Sequence, residues 1–187
     1  MKSNNKRILT LVAILAIIAL VPAALWFHFS LPRNFSVVEQ GILYRCGEGR
    51  TFQIENTMRK HHIKTILCLR KVRNLESEKQ LAGRQDVNFI YQPIDTGKPI
   101  PEKYYLDFLK MTQDPNQTPL LVHCAMGRHR TGFFCALYRM VIDNWPLDKA
   151  LKEMESFGFD LNSHTVLVTT LKKINPEDLR KKLRKTL

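Results

Sequence analysis

The sequence predicts an α/β domain in which a central sheet of about four to five strands is flanked by helices. Hydrophobic residues make up 44% and aromatic residues 9% of the 187 residues, which favours a packed core over a disordered or fibrous chain. From residue 42 onward, short β-branched and aromatic runs alternate with helical patterns, as in layered α/β folds. Four cysteines are too few for a disulfide-built scaffold. At roughly 100–200 residues per domain, the length fits one domain with an appendage.

The appendage is an apolar run over residues 8–29 without Asp, Glu, Lys or Arg. As a helix rising about 1.5 Å per residue it would be about 33 Å long, close to the thickness of a bilayer core. A cleaved secretory signal is the alternative, because basic residues precede the run, but its length and bulky end favour an uncleaved transmembrane anchor. The flanking charges predict a cytoplasmic N-terminus over 1–7 and a single-pass membrane protein, with domain 31–187 in the periplasm or otherwise outside the cytoplasm.

The strands and helices of the domain follow from periodicity and from helix start and stop signals. Runs rich in β-branched and aromatic residues predict strands at Ile42–Cys46, Lys64–Leu69, Val87–Pro93 and Leu120–Cys124. Helical spacing predicts helices at Thr51–His62, Leu75–Gln85, Glu102–Gln113, Thr131–Asp143, Leu147–Phe157 and Ser163–Ile174. A last helix begins at Pro176 after the N-cap Asn175, and Leu31–Ser36 is expected to be a short tether.

The chain is basic, with 29 Lys and Arg residues against 17 Asp and Glu and a net charge of +12. Such an excess can serve nucleic acid, a membrane surface or an anionic substrate. A nucleic-acid partner is not predicted, because aromatic and basic residues do not alternate along any stripe. The basic stretch at 179–187 leaves two alternatives open, contact with anionic lipid and a solvated helix end.

One segment has the residue types that chemistry needs, namely residues 119–132, PLLVHCAMGRHRTG. An apolar strand leads into a short loop and then a helix, so several main-chain N–H groups are expected to meet at the positive end of the helix dipole. Gly127 permits backbone geometry that a side chain would hinder. Arg130 supplies a planar fork that suits two oxygens of a phosphate or sulfate. The pattern therefore predicts a cavity for an oxyanion of phosphate size.

Cys124 lies at the mouth of that loop. A free thiol has a pKa near 8.5, which helix N-termini and nearby cations lower to about 3.5–7.5. The sequence therefore predicts a thiolate at neutral pH, placed to attack a bound phosphoryl group and form a covalent intermediate. Thr131 is expected to donate a hydrogen bond to the sulfur during its release. His123 is expected to orient the loop rather than to act as a base.

The pattern HCxxGxxRT, which ends at Thr131, resembles the phosphate-binding loop of the cysteine-dependent protein tyrosine phosphatases. Residues 42–48 (ILYRCGE) and 133–159 are similar to the atypical dual-specificity group of that superfamily, and most of all to its small bacterial, secreted or membrane-anchored members. The resemblance covers most of residues 36–160. It implies the fold of that group, a reaction without metal or other cofactor, and a nucleophilic Cys124. It also implies a phosphate-binding loop made of Cys124, Ala125, Met126, Gly127, Arg128, His129 and Arg130.

The resemblance further implies a general acid, an Asp on a loop that precedes the catalytic segment. Asp95 follows the predicted strand Val87–Pro93 and stands 29 residues before Cys124. Its alternative role is that of an ordinary Asx-turn residue. Asp86 and Asp107 are weaker candidates, because one lies at the other end of the strand and the other inside a helical pattern.

Other notable side chains have simpler interpretations. His61 and His62 have no ligand partner at a suitable spacing, so they are expected to mark a helix end rather than a metal site. Cys68 and Cys135 are expected to pack as small hydrophobic residues. A reversible disulfide between Cys124 and another cysteine stays open as an alternative.

The function predicted from these residues is hydrolysis of phosphomonoesters in proteins, at phosphotyrosine and also at phosphoserine or phosphothreonine. One alternative keeps the chemistry and acts on inositol phosphates or phospholipid headgroups, since Arg128 and His129 add positive charge beside Arg130. The other alternative is a catalytically silent module that only binds phosphate.

Overall fold

The computed structural model describes residues 11–21, 29–71 and 75–185. The chain divides into two units, Met1–Leu31 and Pro32–Leu187. In the first unit, residues 11–21 are helical and form α1.

The predicted membrane localisation is wrong. No helix in the described parts of the chain is both long enough and apolar enough to cross a bilayer. Such a helix needs about 20 apolar residues, whereas the described stretch of α1 has eleven. The single-pass anchor and the periplasmic placement of the domain are therefore not retained. Residues 1–7, 8–10 and 22–28, on which those predictions also rested, lie outside the described residues.

The second unit is built on a mixed sheet. Its strands are β1 (Ser36–Glu39), β2 (Leu43–Cys46), β3 (Thr65–Cys68), β4 (Asn88–Tyr91) and β5 (Leu120–His123). They form a five-stranded sheet in the order β1-β2-β5-β3-β4, in which β1 is antiparallel to β2 and the other neighbours are parallel. The three central strands are buried along their whole length, as expected for parallel strands covered on both faces.

Helices cover the two faces of this sheet. They are α2 (Thr51–His61), α3 (Glu76–Arg84), α4 (Glu102–Gln113), α5 (His129–Val141), α6 (Leu147–Ser156), α7 (Thr165–Lys173) and α8 (Pro176–Arg184). Leu120 and Val122 of β5 belong to the larger hydrophobic cluster, together with α4 to α8, and Leu121 belongs to the smaller one, together with α2 and α3. Side chains along β5 thus alternate between two cores, and the chain passes from β5 into α5 at the carboxyl ends of the parallel strands.

Most predicted elements are present with small shifts at their ends. The bounds of α4 are as predicted, and the Asn175 side chain caps α8 by accepting a hydrogen bond from the Glu177 N–H at 3.0 Å. α2 ends at His61, and His62 adopts a left-handed conformation, so this pair marks a helix end as predicted. β1 is not predicted by the sequence, because Val38 is the one buried residue of its four and gives too weak a pattern.

Candidate active site

The loop of residues 124–128 connects β5 to α5 at the carboxyl ends of the central strands. Cys46 and His123 stand in register at the ends of β2 and β5, so the loop passes directly beside the exit of β2. Gly127 has a φ of +67°, and a Cβ at this position would lie 2.5 Å from the backbone nitrogen of Gly47. Glycine is therefore required at residue 127 both by the left-handed backbone and by the close approach of another main chain.

The two sides of the loop backbone are bonded differently. The carbonyl oxygens of Ala125, Met126 and Gly127 each accept a hydrogen bond from outside the loop, at 2.8, 2.9 and 2.7 Å. The N–H groups of residues 125–130 donate to no acceptor in the described chain. Unpaired N–H groups at the start of a helix form a ready site for an anion. The loop can therefore offer an oxyanion N–H donors that no described residue uses.

Cys124 begins this loop and is 2% exposed. The other three cysteines are also buried, and all four are free. Burial raises the pKa of both Cys68 and Cys135 to about 11, and burial together with the neighbouring Cys124 raises the pKa of Cys46 still further. Those three thiols are protonated at neutral pH and pack as small hydrophobic groups. Of the four cysteines, Cys124 is the one that belongs to the loop with unpaired N–H groups.

Arg130 is bonded to the segment that holds the predicted general acid. Its Nε donates to the carbonyl oxygen of Ile94 at 2.8 Å. Asp95 is exposed, and its Oδ1 accepts a hydrogen bond from the Gly97 N–H at 3.0 Å while Oδ2 lies 3.4 Å from the Lys71 Nζ. The Gly97 hydrogen bond and the Lys71 charge lower the pKa of the Asp95 carboxyl. In this arrangement Asp95 forms the Asx turn that the sequence left open as its alternative role.

The two weaker acid candidates lie farther from the loop in the fold. Asp86 occupies a turn before β4, at the opposite end of the sheet from the loop, and has a φ of +55°. Asp107 is half-buried inside α4. Of the three carboxylates considered, Asp95 is the one in a segment that Arg130 contacts.

Thr131 and His123 flank the loop within the core. Thr131 is fully buried, and its hydroxyl has no hydrogen-bond partner among the described residues. Burial lowers the pKa of His123, so its ring is neutral at pH 7. The His123 Nε2 lies 3.9 Å from the Glu78 Oε2 on α3, whereas Cys124 belongs to the cluster on the other face of the sheet. This placement favours an orienting role for His123 over that of a base acting on Cys124.

Cys68, Glu78 and His123 form a cluster whose ligand atoms all lie within 4.8 Å of one another, close enough to consider a metal ion. A cation is already present there, because the Arg70 guanidinium lies 2.8 Å from Glu78 and 2.6 Å from Glu48. A divalent ion would have to bind against that fixed positive charge. The cluster is better explained as an ion pair that supports His123 from the α3 side.

The side chains of Arg128 and His129 contact the segment 157–164, which follows α6. The His129 ring stacks on that of His164 with 3.7 Å between centroids. Arg128 lies so close to Gly158 that a Cβ there would stand 3.0 Å from its Nε. Burial and the neighbouring His164 lower the pKa of His129. His129 is therefore mostly neutral at pH 7 and does not add the positive charge that the sequence suggested.

Two residues that sequence analysis did not single out bond to the carbonyl side of the loop. The Asn34 Nδ2 donates to the Met126 carbonyl, and the Arg45 Nη2 donates to the Gly127 carbonyl. Arg45 is 1% exposed. The sequence offered one signal for Arg45, namely an arginine inside a strand of otherwise largely apolar residues, LYRC.

A loop between a parallel strand and a helix, with a cysteine at its first position and main-chain N–H groups that are unpaired among the described residues, is the arrangement expected of a cysteine-dependent phosphatase. Residues 30–186 match the tyrosine phosphatase family, and the chain belongs to that family. The resemblance stated from the sequence is thereby confirmed.

Relatives of the chain include an inositol diphosphatase and a dual specificity protein phosphatase. It is 32% identical over 131 residues to the inositol diphosphatase DSP3 of Arabidopsis thaliana, an alignment covering 66% of this chain and 62% of that protein. It is 28% identical over 103 residues to the dual specificity protein phosphatase TpbA of Pseudomonas aeruginosa, covering 54% of this chain and 45% of TpbA. The chain thus spans less than two thirds of either relative.

Solved structures share the fold. The catalytic domain of the PP-IP phosphatase SIW14 from S. cerevisiae superposes with a TM-score of 0.72 at 22% identity, covering 83% of this chain and 94% of that domain. P. aeruginosa TpbA superposes with a TM-score of 0.64 at 24% identity, covering 76% of this chain and 86% of TpbA. The predicted α/β phosphatase fold is confirmed, whereas no helix of the described residues is long and apolar enough to span a membrane.

Proposed function

We propose that the protein is a phosphomonoester hydrolase that works through a phosphocysteine on Cys124, and that residues 31–187 are its catalytic domain. The observation that supports this most directly is the asymmetric bonding of the loop. Its carbonyl groups are bonded to other parts of the domain, while the N–H groups of residues 125–130 have no acceptor within the described ranges of the chain. Such preorganised donors stabilise charge on the equatorial oxygens of a phosphoryl group in the transition state.

In the first step of the proposed reaction, the Cys124 sulfur attacks phosphorus while Arg130 and the loop N–H groups hold the phosphoryl oxygens. A sulfur–phosphorus bond forms, the bond to the leaving oxygen breaks, and Asp95 gives that oxygen a proton. In the second step, water attacks phosphorus and Asp95 accepts its proton. The sulfur then leaves as a thiolate, and the unpaired hydroxyl of Thr131 is available to donate a hydrogen bond to it.

The acid role requires Asp95 to be protonated when substrate is bound. The Gly97 hydrogen bond and the Lys71 charge favour the ionised carboxylate in the structure described here. A phosphate dianion next to a thiolate adds negative charge nearby, which raises the pKa of a carboxyl group. Binding of substrate is therefore the step that prepares Asp95 to act as an acid. Because Asp95 gives its proton to the leaving oxygen in the first step, it is left as a carboxylate that can accept the proton of the attacking water in the second.

The proposed substrates are phosphotyrosine proteins, with phosphoserine and phosphothreonine proteins in the same class. The name of TpbA, a dual specificity protein phosphatase, supports this choice. A second candidate substrate class is phosphorylated inositol, which is supported by the 32% identity to an inositol diphosphatase. The two candidates share every catalytic step and differ in the leaving group.

Turnover of para-nitrophenyl phosphate by the full chain with reduced thiols tests the proposed reaction. Wild-type protein should hydrolyse it, Cys124→Ser should not, and Cys68→Ala should remain active, since Cys68 is a buried thiol outside the loop. No turnover by folded wild-type protein would instead favour the silent phosphate-binding module. A panel of phosphotyrosine peptides, phosphoserine peptides, inositol pyrophosphates and vesicles with phosphorylated headgroups then separates the substrate classes. Hydrolysis of inositol pyrophosphates alone would contradict the protein substrate.

A further inference from the structure

Arg45 is a buried cation without a carboxylate partner. It lies in the centre of β2, is 1% exposed, and forms no ion pair within the described residues. Its guanidinium carbon lies 3.7 Å from the centroid of the Phe157 ring, and its Nη2 donates to the Gly127 carbonyl at 2.7 Å. The remaining two nitrogens, Nε and Nη1, have no hydrogen-bond partner in the described chain. Burying a charge in this way is costly, so the position needs an explanation.

The fold places that charge on the side of the sheet where Cys124 lies. Along β2, Leu43 belongs to the same cluster as Cys124, whereas Tyr44 and Cys46 belong to the opposite one. Because side chains alternate along a strand, Arg45 shares the face of Leu43 and Cys124. Its charge also lowers the pKa of the thiol of Cys135 against the larger effect of burial. Arg45 thus lies on the same side of the sheet as the proposed nucleophile and bonds to the loop from the core.

Arg45 is one of three donors that act on consecutive carbonyl groups of the loop. The Glu48 N–H donates to the Ala125 oxygen at 2.8 Å, the Asn34 Nδ2 to the Met126 oxygen at 2.9 Å, and Arg45 to the Gly127 oxygen. A peptide group whose oxygen is bonded on one side presents its N–H to the other side. Together the three bonds restrain the peptide planes in the orientation that leaves the N–H groups unpaired.

We infer that Arg45, with Asn34, is a positioning residue that preorganises the phosphate loop through its carbonyl groups, an inference that rests on the proposed function. Arg45 does not touch the phosphoryl group. Its role is to keep the Gly127 peptide from rotating and to supply positive charge beneath the bound dianion. A charge-assisted hydrogen bond of this kind corresponds to about a 10- to 100-fold effect on anion affinity when its loss allows the site to reorganise.

Binding of inorganic phosphate to full-length Cys124→Ser protein, measured by calorimetry, tests this inference apart from turnover. Adding Arg45→Met should weaken phosphate binding by about 10- to 100-fold, and Arg45→Lys should recover part of the loss because it restores the charge. In the Cys124 enzyme, Arg45→Met should lower kcat more than it raises KM for para-nitrophenyl phosphate. Unchanged phosphate affinity in Arg45→Met would overturn the inference and leave the proposed function standing. No phosphate binding by the Cys124→Ser parent would overturn both.

Arg180→Met is the matched control, because Arg180 also donates to main-chain carbonyl groups, with Nη1 at 2.9 Å from the Val141 oxygen, but lies on α8. It should lower the melting temperature without changing phosphate affinity. If Arg45→Met does not fold, Asn34→Gly decides the question, since Asn34 has a φ of +51° that glycine adopts readily. A loss of phosphate affinity of about tenfold is expected for Asn34→Gly, and unchanged affinity would count against the inference.

Discussion

Replacing Gly127 with alanine should disable the phosphate loop, and the structure provides a control for the backbone strain this introduces. A Cβ at residue 127 would stand 2.5 Å from the Gly47 nitrogen and 2.7 Å from the Cys46 carbonyl carbon. Restoring an ordinary contact of 3.4 Å requires the two main chains to separate by about 0.9 Å. A displacement of about 1 Å at a reacting centre costs about 100-fold in rate. We therefore expect kcat/KM for para-nitrophenyl phosphate to fall about 100-fold.

Gly41→Ala introduces the same kind of strain without the collision. Gly41 has a φ of +76°, and its Cβ would meet nothing within 4 Å. Left-handed backbone costs alanine about 1–2 kcal/mol, so Gly41→Ala should lower the free energy of unfolding by that amount and leave kcat/KM unchanged. Gly127→Ala adds overpacking of about 1–3 kcal/mol, for a total loss of about 2–5 kcal/mol.

Urea unfolding and steady-state kinetics on both variants measure these two effects separately. A kcat/KM of Gly127→Ala within about threefold of wild type, a difference below 1 kcal/mol, would show that the loop tolerates the added Cβ. An equal loss of activity in Gly41→Ala and Gly127→Ala would show that backbone strain alone explains the result.

Three further changes test the acid, the buried histidine and the core. Asp95→Asn should slow hydrolysis of phenyl phosphate by about 10²–10⁴-fold and hydrolysis of para-nitrophenyl phosphate far less. Para-nitrophenolate is the better leaving group and needs less protonation by an acid. Equal losses on the two substrates would point to another residue as the acid. Burial lowers the pKa of His123, so the unfolded state binds more protons than the folded state below about pH 6.5, and the free energy of unfolding should decrease as pH falls from 7 to 5. His123→Gln should reduce this pH dependence when the free energy of unfolding is measured by urea titration at each pH. An unchanged pH dependence would contradict the buried, neutral state of His123. Phe108→Ala should lower the free energy of unfolding by about 3–5 kcal/mol. Phe108 is fully buried and packs edge-on against Phe134, with 5.0 Å between the ring centroids. A loss below 1 kcal/mol would show that the surrounding side chains fill the cavity.

Much of the fold could be predicted because local patterns and tertiary structure agree. The central strand β5 is four apolar or buried residues in a row, and α4 has apolar residues at helical spacing over its whole length. Pro176 after Asn175 has only one favourable position in a helix, its first turn. The segment 119–132 was informative because strand, loop and helix are contiguous there, so the sequence alone brings the cysteine, the N–H groups and the arginine together.

The remainder depends on contacts between distant parts of the chain. Arg45 and the Gly127 carbonyl are separated by 82 residues, and Asn34 and the Met126 carbonyl by 92. Neither residue type at its own position indicates such a bond. The predicted positive charge on His129 was wrong for the same reason. Burial and the neighbouring His164 lower the pKa of His129, and His164 comes from a later segment of the chain.

The predicted membrane anchor failed for a different reason. Composition over residues 8–29 measures apolar character, whereas crossing a bilayer also requires one sufficiently long helix. Within the described residues that helix is missing. For Asp95, by contrast, turn chemistry alone was a good guide, since its side chain accepts a hydrogen bond from the N–H two residues on.

Rapid acid quenching during turnover, followed by peptide mass spectrometry, tests the central claim most directly. If the sulfur displaces the leaving group, the peptide that contains Cys124 should gain the mass of one phosphoryl group during steady-state turnover. The same peptide from Cys124→Ser protein should gain nothing. Turnover by wild-type protein with no phosphorylated peptide at any quench time, and with an unchanged rate in Cys124→Ser, would contradict the account.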